Sequence, residues 1–290
     1  MKNFLLKLFL FISIVTISIL TFYFYYEYRF REISYKESLN SIFIWGDSQA
    51  KAGFDLEKIS KITGRNVYSA AKGGAGVYDF LVFTEIVPDN SVVVLSISQL
   101  AQLRGRDKNT GGIPFKSIYQ LVVNHFEDLL PSIRNNLQPK ELFTSSSALY
   151  PYRDTITFHE PISKFQEIYF TNGSQYQEKQ KLFTYGIKRL IDKRCKLVFV
   201  EFPFHPLLVD VIIKSPFNVG TKRFNKDILK LFPKSQYDTL NITTKKRMMY
   251  DLTHLNEFGA KLITDSIFET DSLFSKQTVH WVVINGGVCE

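Results

Sequence analysis

Short apolar runs alternate with amphipathic stretches between residues 41 and 270, and this alternation predicts an α/β domain. Continuous apolar segments of strand length lie at 42–45, 66–71, 91–98 and 196–201. Stretches with helical periodicity lie at 54–63, 77–86, 176–194, 224–231 and 257–268. Strands that are apolar throughout are typical of a parallel sheet with helices on both faces.

Two parts of the chain lack this pattern. Residues 99–175 contain a helix-like stretch at 119–130 but no sustained period, and we expect an insertion there that shapes a substrate cleft or lid. Near the C-terminus, residues 279–285 favour either an edge strand or an interaction segment. The expected division is an anchor at 1–28, a connector at 29–40, the α/β domain at 41–270 and a C-terminal tail at 271–290.

The first residues of the chain predict a membrane anchor. Between Phe4 and Tyr26 the only charged residue is Lys7, and a helix of that length spans the roughly 30 Å of a bilayer core. The apolar stretch is long and no small-x-small cleavage site follows it, which favours an uncleaved anchor over a signal peptide. Lys2 and Lys7 favour a cytoplasmic N-terminus, whereas basic residues after the anchor favour the reverse. We expect a single-pass membrane protein whose α/β domain is periplasmic or otherwise extracytoplasmic.

The charge and the cysteine count narrow the functional classes. The net charge is +8, but no compact cluster of Lys and Arg is interleaved with aromatic residues, so nucleic-acid binding is not expected. The positive charge instead favours proximity to anionic lipid or acidic polysaccharide. Cys195 and Cys289 are the two cysteines, and whether they pair stays open. Because the sequence contains neither a CxxC nor an HExxH motif, we expect no metal and no cofactor.

Two short motifs carry the candidate chemistry. Gly46-Asp47-Ser48 directly follows the first apolar run, and Asp251 precedes His254 by three residues in a loop before the last predicted helix. Sites in open α/β sheets form at the carboxyl ends of the strands. There Ser48 would attack a carbonyl carbon, His254 would accept its proton, and Asp251 would fix the imidazole tautomer. Each motif alone is often only a turn or a helix cap, but both in this order favour an activated serine.

Such a serine also needs hydrogen-bond donors for the negative charge that develops on the attacked carbonyl oxygen. The backbone N–H of Ser48, at the start of a helix, is one candidate. Gly73 and Gly74 follow the second strand and would let the backbone approach a substrate closely. Gln49 and Gly73 are the expected substrate contacts beside them.

Together these residues resemble blocks I, II and V of the SGNH (GDSL-type) hydrolase superfamily. The resemblance extends over about residues 42–268 in order and spacing. It implies a three-layer α/β/α sandwich with a flavodoxin-like parallel sheet. It also implies that Ser48 is the nucleophile, that Asp251 and His254 complete the catalytic site, and that Gly74, or Gly73 beside it, is the oxyanion glycine.

The third block of that family is different in this chain. The family usually has Gly-x-Asn-Asp, whose asparagine donates to the oxyanion, whereas the third strand here ends in Ser96-Ile97-Ser98-Gln99. Because a hydroxyl or an amide can also donate, Ser98 or Gln99 would take the place of the asparagine. Ser98 is the expected oxyanion donor and Gln99 the expected substrate contact.

An anchor followed by such a domain resembles the cell-envelope branch of the superfamily, which includes polysaccharide O-acetyltransferases and esterases and the D-alanyl transfer proteins of teichoic acids. The resemblance implies a serine-dependent acyl ester hydrolase or O-acyltransferase, with acetyl the expected group and cell-surface polysaccharide the substrate. Its partners would be an acylated glycan or acyl donor, the membrane, and envelope polysaccharide-assembly proteins. Hydrolysis and transfer both stay open. The alternative is a non-catalytic, membrane-anchored glycan-binding or assembly factor with a degenerate site.

Overall fold

Six strands form one sheet in which every neighbouring pair is parallel. The computed structural model describes residues 4–18, 20–21, 41–97, 143–153, 176–214, 224–232, 237–269 and 279–288. The strands are β1 (Ser41–Trp45), β2 (Asn66–Ser69), β3 (Val92–Ser96), β4 (Lys196–Glu201), β5 (Tyr237–Lys245) and β6 (Val279–Val288). They lie side by side in the order β2-β1-β3-β4-β6-β5. The predicted α/β class with a parallel sheet is confirmed.

Helices follow most of these strands. They are α1 (Ser48–Gly53), α2 (Leu56–Thr63), α3 (Val77–Ile86), α4 (Tyr176–Asp192), α5 (Pro206–Lys214) and α6 (Glu257–Phe268), with a 3₁₀ turn at Lys246–Met248. The Asp55 side chain accepts a hydrogen bond from the Lys58 backbone N–H at the start of α2. The Asn256 side chain likewise accepts from the backbone at the start of α6. Both caps satisfy N–H groups that have no partner within the helix.

Alternate residues of the strands are buried in two separate cores, one on each face of the sheet. Ile42 and Ile44 of β1 lie in a buried cluster with side chains from α2 and α6. Phe43 and Trp45, which point to the opposite face, lie in a cluster with side chains from α3 and α4. There the ring centroids of Trp45 and Phe80 are 4.8 Å apart. Since β1 is packed on both faces, the turn that follows it starts from a fixed position.

The C-terminal part of the chain differs from the prediction. Residues 279–288, expected in a tail or at an edge, form β6, which lies inside the sheet between β4 and β5. The edge strand beyond β6 is β5, which the sequence pattern did not predict. Its buried Ile242 lies between the exposed Asn241 and Thr243. A strand with only one buried face has this alternation rather than a continuous apolar run.

The N-terminal residues 4–18 and 20–21 are helical. Their large apolar side chains are exposed, as for Phe9 and Ile17. Among the residues that the structure describes, no helix is both long and apolar enough to cross a membrane. The connector, the helix expected at 119–130 and Cys289 lie outside the described residues, as does most of the insertion at 99–175 except 143–153.

Candidate active site

Ser48 is the first residue of α1, three residues beyond the end of β1. Its position is set by Asp47, whose buried carboxylate accepts a hydrogen bond of 3.0 Å from the backbone N–H of Gln49. The carbonyl of Asp47 also accepts from the Lys51 backbone N–H at 3.0 Å. The aspartate of Gly-Asp-Ser therefore caps the helix and fixes the turn, while the Ser48 side chain remains half-buried.

Gly46 makes this sharp turn possible. A Cβ atom at this position would lie 2.5 Å from the Cβ of Ala50 and 2.5 Å from the Cβ of Ser96. Both neighbours belong to packed elements, α1 and the end of β3, so neither can move aside easily. The sequence here requires glycine because the first turn of α1 and β3 leave no room for a side chain.

We expect Gly46→Ala to destabilise the fold by about 1–3 kcal/mol, the usual range for overpacking a tight site. The extra methyl group must push α1 away from β3. Urea denaturation of the purified chain measures the loss. Gly73→Ala is the matched control, because nothing lies within 4 Å of the added Cβ, and its free energy of unfolding should match that of the parent. Equal stability of the two variants would contradict this account of Gly46.

Asp251 and His254 form the second half of the site within one tight loop. The carboxylate Oδ2 of Asp251 is 2.7 Å from Nδ1 of His254. Its other oxygen, Oδ1, accepts from the backbone N–H groups of Thr253 and His254, each at 2.7 Å. The carbonyl of His254 in turn accepts from the Tyr250 backbone N–H at 2.8 Å. The Asp-x-x-His spacing therefore lets one short loop hold both side chains in place.

These contacts determine the protonation state of Asp251. Its burial favours the neutral acid, but the hydrogen bond and charge of His254 and the two backbone N–H groups outweigh it, so the pKa of Asp251 is lower than its ordinary value. The carboxylate is ionised at neutral pH, and a hydrogen bond to it assigns the proton of the neutral imidazole to Nδ1. Nε2 is then the basic nitrogen. It is buried and has no hydrogen-bond partner among the described residues.

Gln49 links the two halves of the site. Its side-chain Nε2 donates to the carbonyl of Thr253 at 2.8 Å and, more weakly, to the carbonyl of Pro203 at 3.4 Å. Since Ser48 directly precedes Gln49 and His254 directly follows Thr253, this bond places the serine and histidine segments side by side. Gln49 was predicted to contact substrate, but its side chain is only 2% exposed. We correct that assignment to a brace between the two loops.

The glycine loop after β2 lies beside the serine turn. The backbone N–H of Lys72 donates to the carbonyl of Gly46 at 3.1 Å. Gly73 and Gly74 follow at the exposed tip of this loop, and Gly74 has a φ of +74°, a conformation that favours glycine. The bond at Lys72 brings the start of the glycine loop to the Gly46 turn, and the oxyanion role of Gly74 stays a prediction.

Ser98 and Gln99 lie outside the described residues, so their assignment as oxyanion donor and substrate contact stays a prediction. The described part of this segment ends at Ile97. Ser96, the last residue of β3, is fully buried, and its hydroxyl has no hydrogen-bond partner among the described residues. β3 pairs with β1 so that Leu95 lies opposite Trp45. The described end of this segment, Ser96-Ile97, therefore lies at the same edge of the sheet as Ser48.

One residue at the site was not found from the sequence. The ring of Tyr150 packs edge-on against the imidazole of His254, with ring centroids 5.3 Å apart. The same ring stacks on Tyr250 at 4.4 Å. Burial and the charge of Asp251 raise the pKa of Tyr150. Tyr150 comes from a stretch without periodicity, and no pattern in the sequence marks it as a neighbour of His254.

No protein-family model and no curated protein matches this sequence. The functional assignment therefore depends on the site itself.

The bond from Gln49 to Thr253 brings the segments of Ser48 and His254 together, while Nε2 of His254 forms no hydrogen bond with the Ser48 hydroxyl in this structure. Within the described residues, no group of three or more His, Cys, Asp and Glu side chains is placed to hold a metal ion. The site combines a half-buried serine at a helix start, an imidazole whose Nδ1 is bound to a carboxylate, and an exposed glycine loop. Such a set suits transfer of an acyl group through a seryl ester.

Proposed function

We propose that the chain is a serine-dependent acyl ester hydrolase or O-acyltransferase. The observation that carries this proposal is that the two ring nitrogens of His254 have different surroundings. Its Nδ1 is bound to the Asp251 carboxylate at 2.7 Å, while its buried Nε2 has no hydrogen-bond partner among the described residues. The brace from Gln49 to Thr253 holds this imidazole in the segment next to Ser48. An imidazole arranged in this way is a base ready to accept a hydroxyl proton.

The proposed reaction has two steps. Nε2 of His254 accepts the proton of the Ser48 hydroxyl as Oγ bonds to the ester carbonyl carbon, and Asp251 stabilises the imidazolium that forms. The tetrahedral intermediate collapses, the alcohol leaves with the proton from Nε2, and the acyl group stays on Ser48. Water or a sugar hydroxyl then gives its proton to Nε2 and attacks the seryl ester, and Ser48 Oγ leaves with that proton from Nε2. Water yields the acid, and a sugar hydroxyl yields a new ester.

The proposed oxyanion site lies between the two backbone turns. The N–H of Ser48 at the start of α1 and the loop of Gly74 are its candidates, with Ser98 as a third donor. The contact between the carbonyl of Gly46 and the N–H of Lys72 supports the first two, because it holds these turns together. Preorganised donors of this kind are each worth about 10²- to 10³-fold in rate.

We infer that the fold is the three-layer α/β/α sandwich of the SGNH superfamily. Two features support this. The order β2-β1-β3-β4 matches the first four strands of a flavodoxin-like sheet. The two buried clusters lie on opposite faces of β1, one formed with α2 and α6 and the other with α3 and α4. The serine and the Asp-x-x-His loop then lie at the carboxyl edge, where this class of sheet forms its sites.

The proposed location is the cell envelope, with the N-terminal segment as a single-pass anchor and the α/β domain outside the cytoplasm. The exposed apolar side chains of residues 4–18 support membrane contact. The proposed substrate is an acylated, most simply acetylated, surface polysaccharide or the donor that acylates it. Envelope polysaccharide-assembly proteins are the proposed partners. The net positive charge of +8 favours anionic surroundings of this kind.

We expect a fluorophosphonate probe to label Ser48 in the folded chain, because the probe reacts with a serine whose proton is removed by a nearby base. Peptide mass spectrometry identifies the labelled residue. The Ser48→Ala variant and urea-denatured parent are the controls, and neither should be labelled. Folded parent that takes up no probe, or takes it up at another serine, would count against the enzyme and favour the non-catalytic glycan-binding factor.

A further inference from the structure

Tyr150 belongs to a segment, residues 143–153, that we call the strap. Its first anchor is at the sheet: the backbone N–H and carbonyl of Thr144 exchange two hydrogen bonds of 2.8 Å with Ser69 at the end of β2. Its second anchor is at α2, where the Ser147 hydroxyl accepts from the Leu56 backbone N–H at 2.8 Å. The strap therefore crosses from the sheet edge to the helix layer with fixed contacts at both places.

The third anchor holds Tyr150 itself. Its carbonyl accepts from the backbone N–H of Glu257 at 2.7 Å, and Tyr150 forms a parallel bridge with Asn256. Asn256 is also the residue that caps α6. The backbone of Tyr150 is thus tied to the same helix start that follows His254. The position of its side chain is set by the scaffold rather than by a free loop.

The ring of Tyr150 contacts both the side chain and the turn of the proposed base. It meets the imidazole of His254 at an interplanar angle of 61° and stacks on Tyr250 at 9°. Tyr250 is itself buried, and its N–H donates to the carbonyl of His254 at 2.8 Å. The hydrogen-bond contacts of the imidazole ring, with Asp251 and with the Thr253 hydroxyl, are both at Nδ1, so they leave the ring able to tilt about that atom. An aromatic edge against the imidazole restricts the tilt.

We propose that Tyr150 is a positioning residue, whose ring fixes the orientation of the His254 imidazole in which Nε2 can accept the Ser48 proton. This inference rests on the proposed function and adds a fourth side chain to its machinery. The phenol suits the position because burial and the nearby Asp251 carboxylate raise its pKa, so it stays neutral at physiological pH. It therefore places no second negative charge beside the imidazole. A misplacement of about 1 Å at a reacting group can cost about 10²-fold in rate.

The test compares Tyr150→Phe with Tyr150→Met in the full chain, using nitrophenyl acetate. Phe keeps the ring and Met keeps the bulk without it. We expect Tyr150→Phe to retain kcat within about 3-fold of the parent, and Tyr150→Met to lose about 10- to 100-fold in kcat with KM little changed. Tyr152→Met is the matched control. It lies in the same strap, but its ring contacts Phe258 instead of His254, so parent kcat is expected.

Parent-like kcat in Tyr150→Met, or an equal loss in Tyr150→Phe, would overturn the proposal. A rise in KM at constant kcat would also overturn the proposal, because Tyr150 would then bind substrate.

Nuclear magnetic resonance gives a readout that needs no turnover. The signal of the Nδ1 proton of His254 should be sharp in the parent and in Tyr150→Phe, and broadened in Tyr150→Met. An unchanged line in Tyr150→Met overturns the positioning role. A parent that is inactive and unlabelled at Ser48 refutes the enzyme instead, so the two failures are distinguishable.

Discussion

Ser48→Ala should lower kcat for ester hydrolysis by about 10⁴- to 10⁶-fold, the largest effect that we expect from any single substitution. Without Oγ there is no seryl ester, and only binding and the oxyanion donors remain to accelerate attack by water. Release of nitrophenolate, and of acetate from an acetylated polysaccharide, measures the loss. Because Ser48, His254 and Asp251 act as a unit, adding His254→Ala to Ser48→Ala should cost little more.

Ser60→Ala is the matched control for Ser48→Ala. Ser60 lies in the neighbouring helix α2, and its hydroxyl donates to the carbonyl of Arg65 at 2.8 Å. Losing that bond costs about 1 kcal/mol of stability and leaves the base and the serine turn untouched, so activity should be unchanged. If Ser48→Ala kept a tenth of the parent rate, the chain would not act through a seryl ester.

Asp251→Asn should lower kcat by about 10³- to 10⁴-fold while the loop stays folded. The amide oxygen of asparagine can still accept the backbone N–H groups that Oδ1 of Asp251 accepts now. The neutral asparagine side chain cannot stabilise an imidazolium. Its NH₂ group donates to Nδ1 and so favours the tautomer of His254 that carries its proton on Nε2. The same assays measure the loss. Asp227→Asn is the control, since Asp227 is exposed and its carboxylate forms an ion pair with Lys230 at 2.7 Å.

The same variant should also change how stability depends on pH. In the folded chain the pKa of Asp251 lies below its ordinary value of 3.8, so the unfolded chain binds the proton first as the pH falls. The stability that the carboxylate contributes is therefore complete above about pH 5 and is lost as the pH falls through the folded pKa. We expect the difference in unfolding free energy between the parent and Asp251→Asn to shrink below that pH. Urea denaturation of both proteins at a series of pH values measures this difference. A difference that does not change with pH would contradict the ion pair of Asp251 and His254.

Most of the candidate catalytic site could be predicted because its residues are close together in the sequence or next to a clear strand. Asp251 and His254 contact each other within one loop, and Ser48 follows the continuous apolar run 42–45 of a strand that is buried at every position. Strands β1, β3 and β4 could be predicted because strands buried on both faces have continuous apolar runs. The short helix α1 could not, because six residues contain too few turns for a period to be visible.

The remaining features depend on contacts between distant segments. From the sequence, Gln49 is expected to be a polar residue at the edge of the site. In the structure its amide group is buried against the carbonyls of Pro203 and Thr253. Tyr150 meets His254 only because the strap is tied to α6. The place of β6 in the sheet depends on which strand edges are still unpaired after β4 has formed. The residue pattern of a strand does not show which strand it will pair with. Pairing of this kind is a tertiary property.

The inner position of β6 has a consequence for biosynthesis. β5 is made before β6, yet its described sheet partner is β6. A nascent chain that has emerged only as far as α6 can complete β2-β1-β3-β4, but β4 still has an open edge and β5 has no neighbour to pair with. An open parallel edge can pair with another chain. Closure of the sheet between β4 and β5 must therefore wait until β6 has left the ribosome, and the edge of β4 can pair with another chain until then.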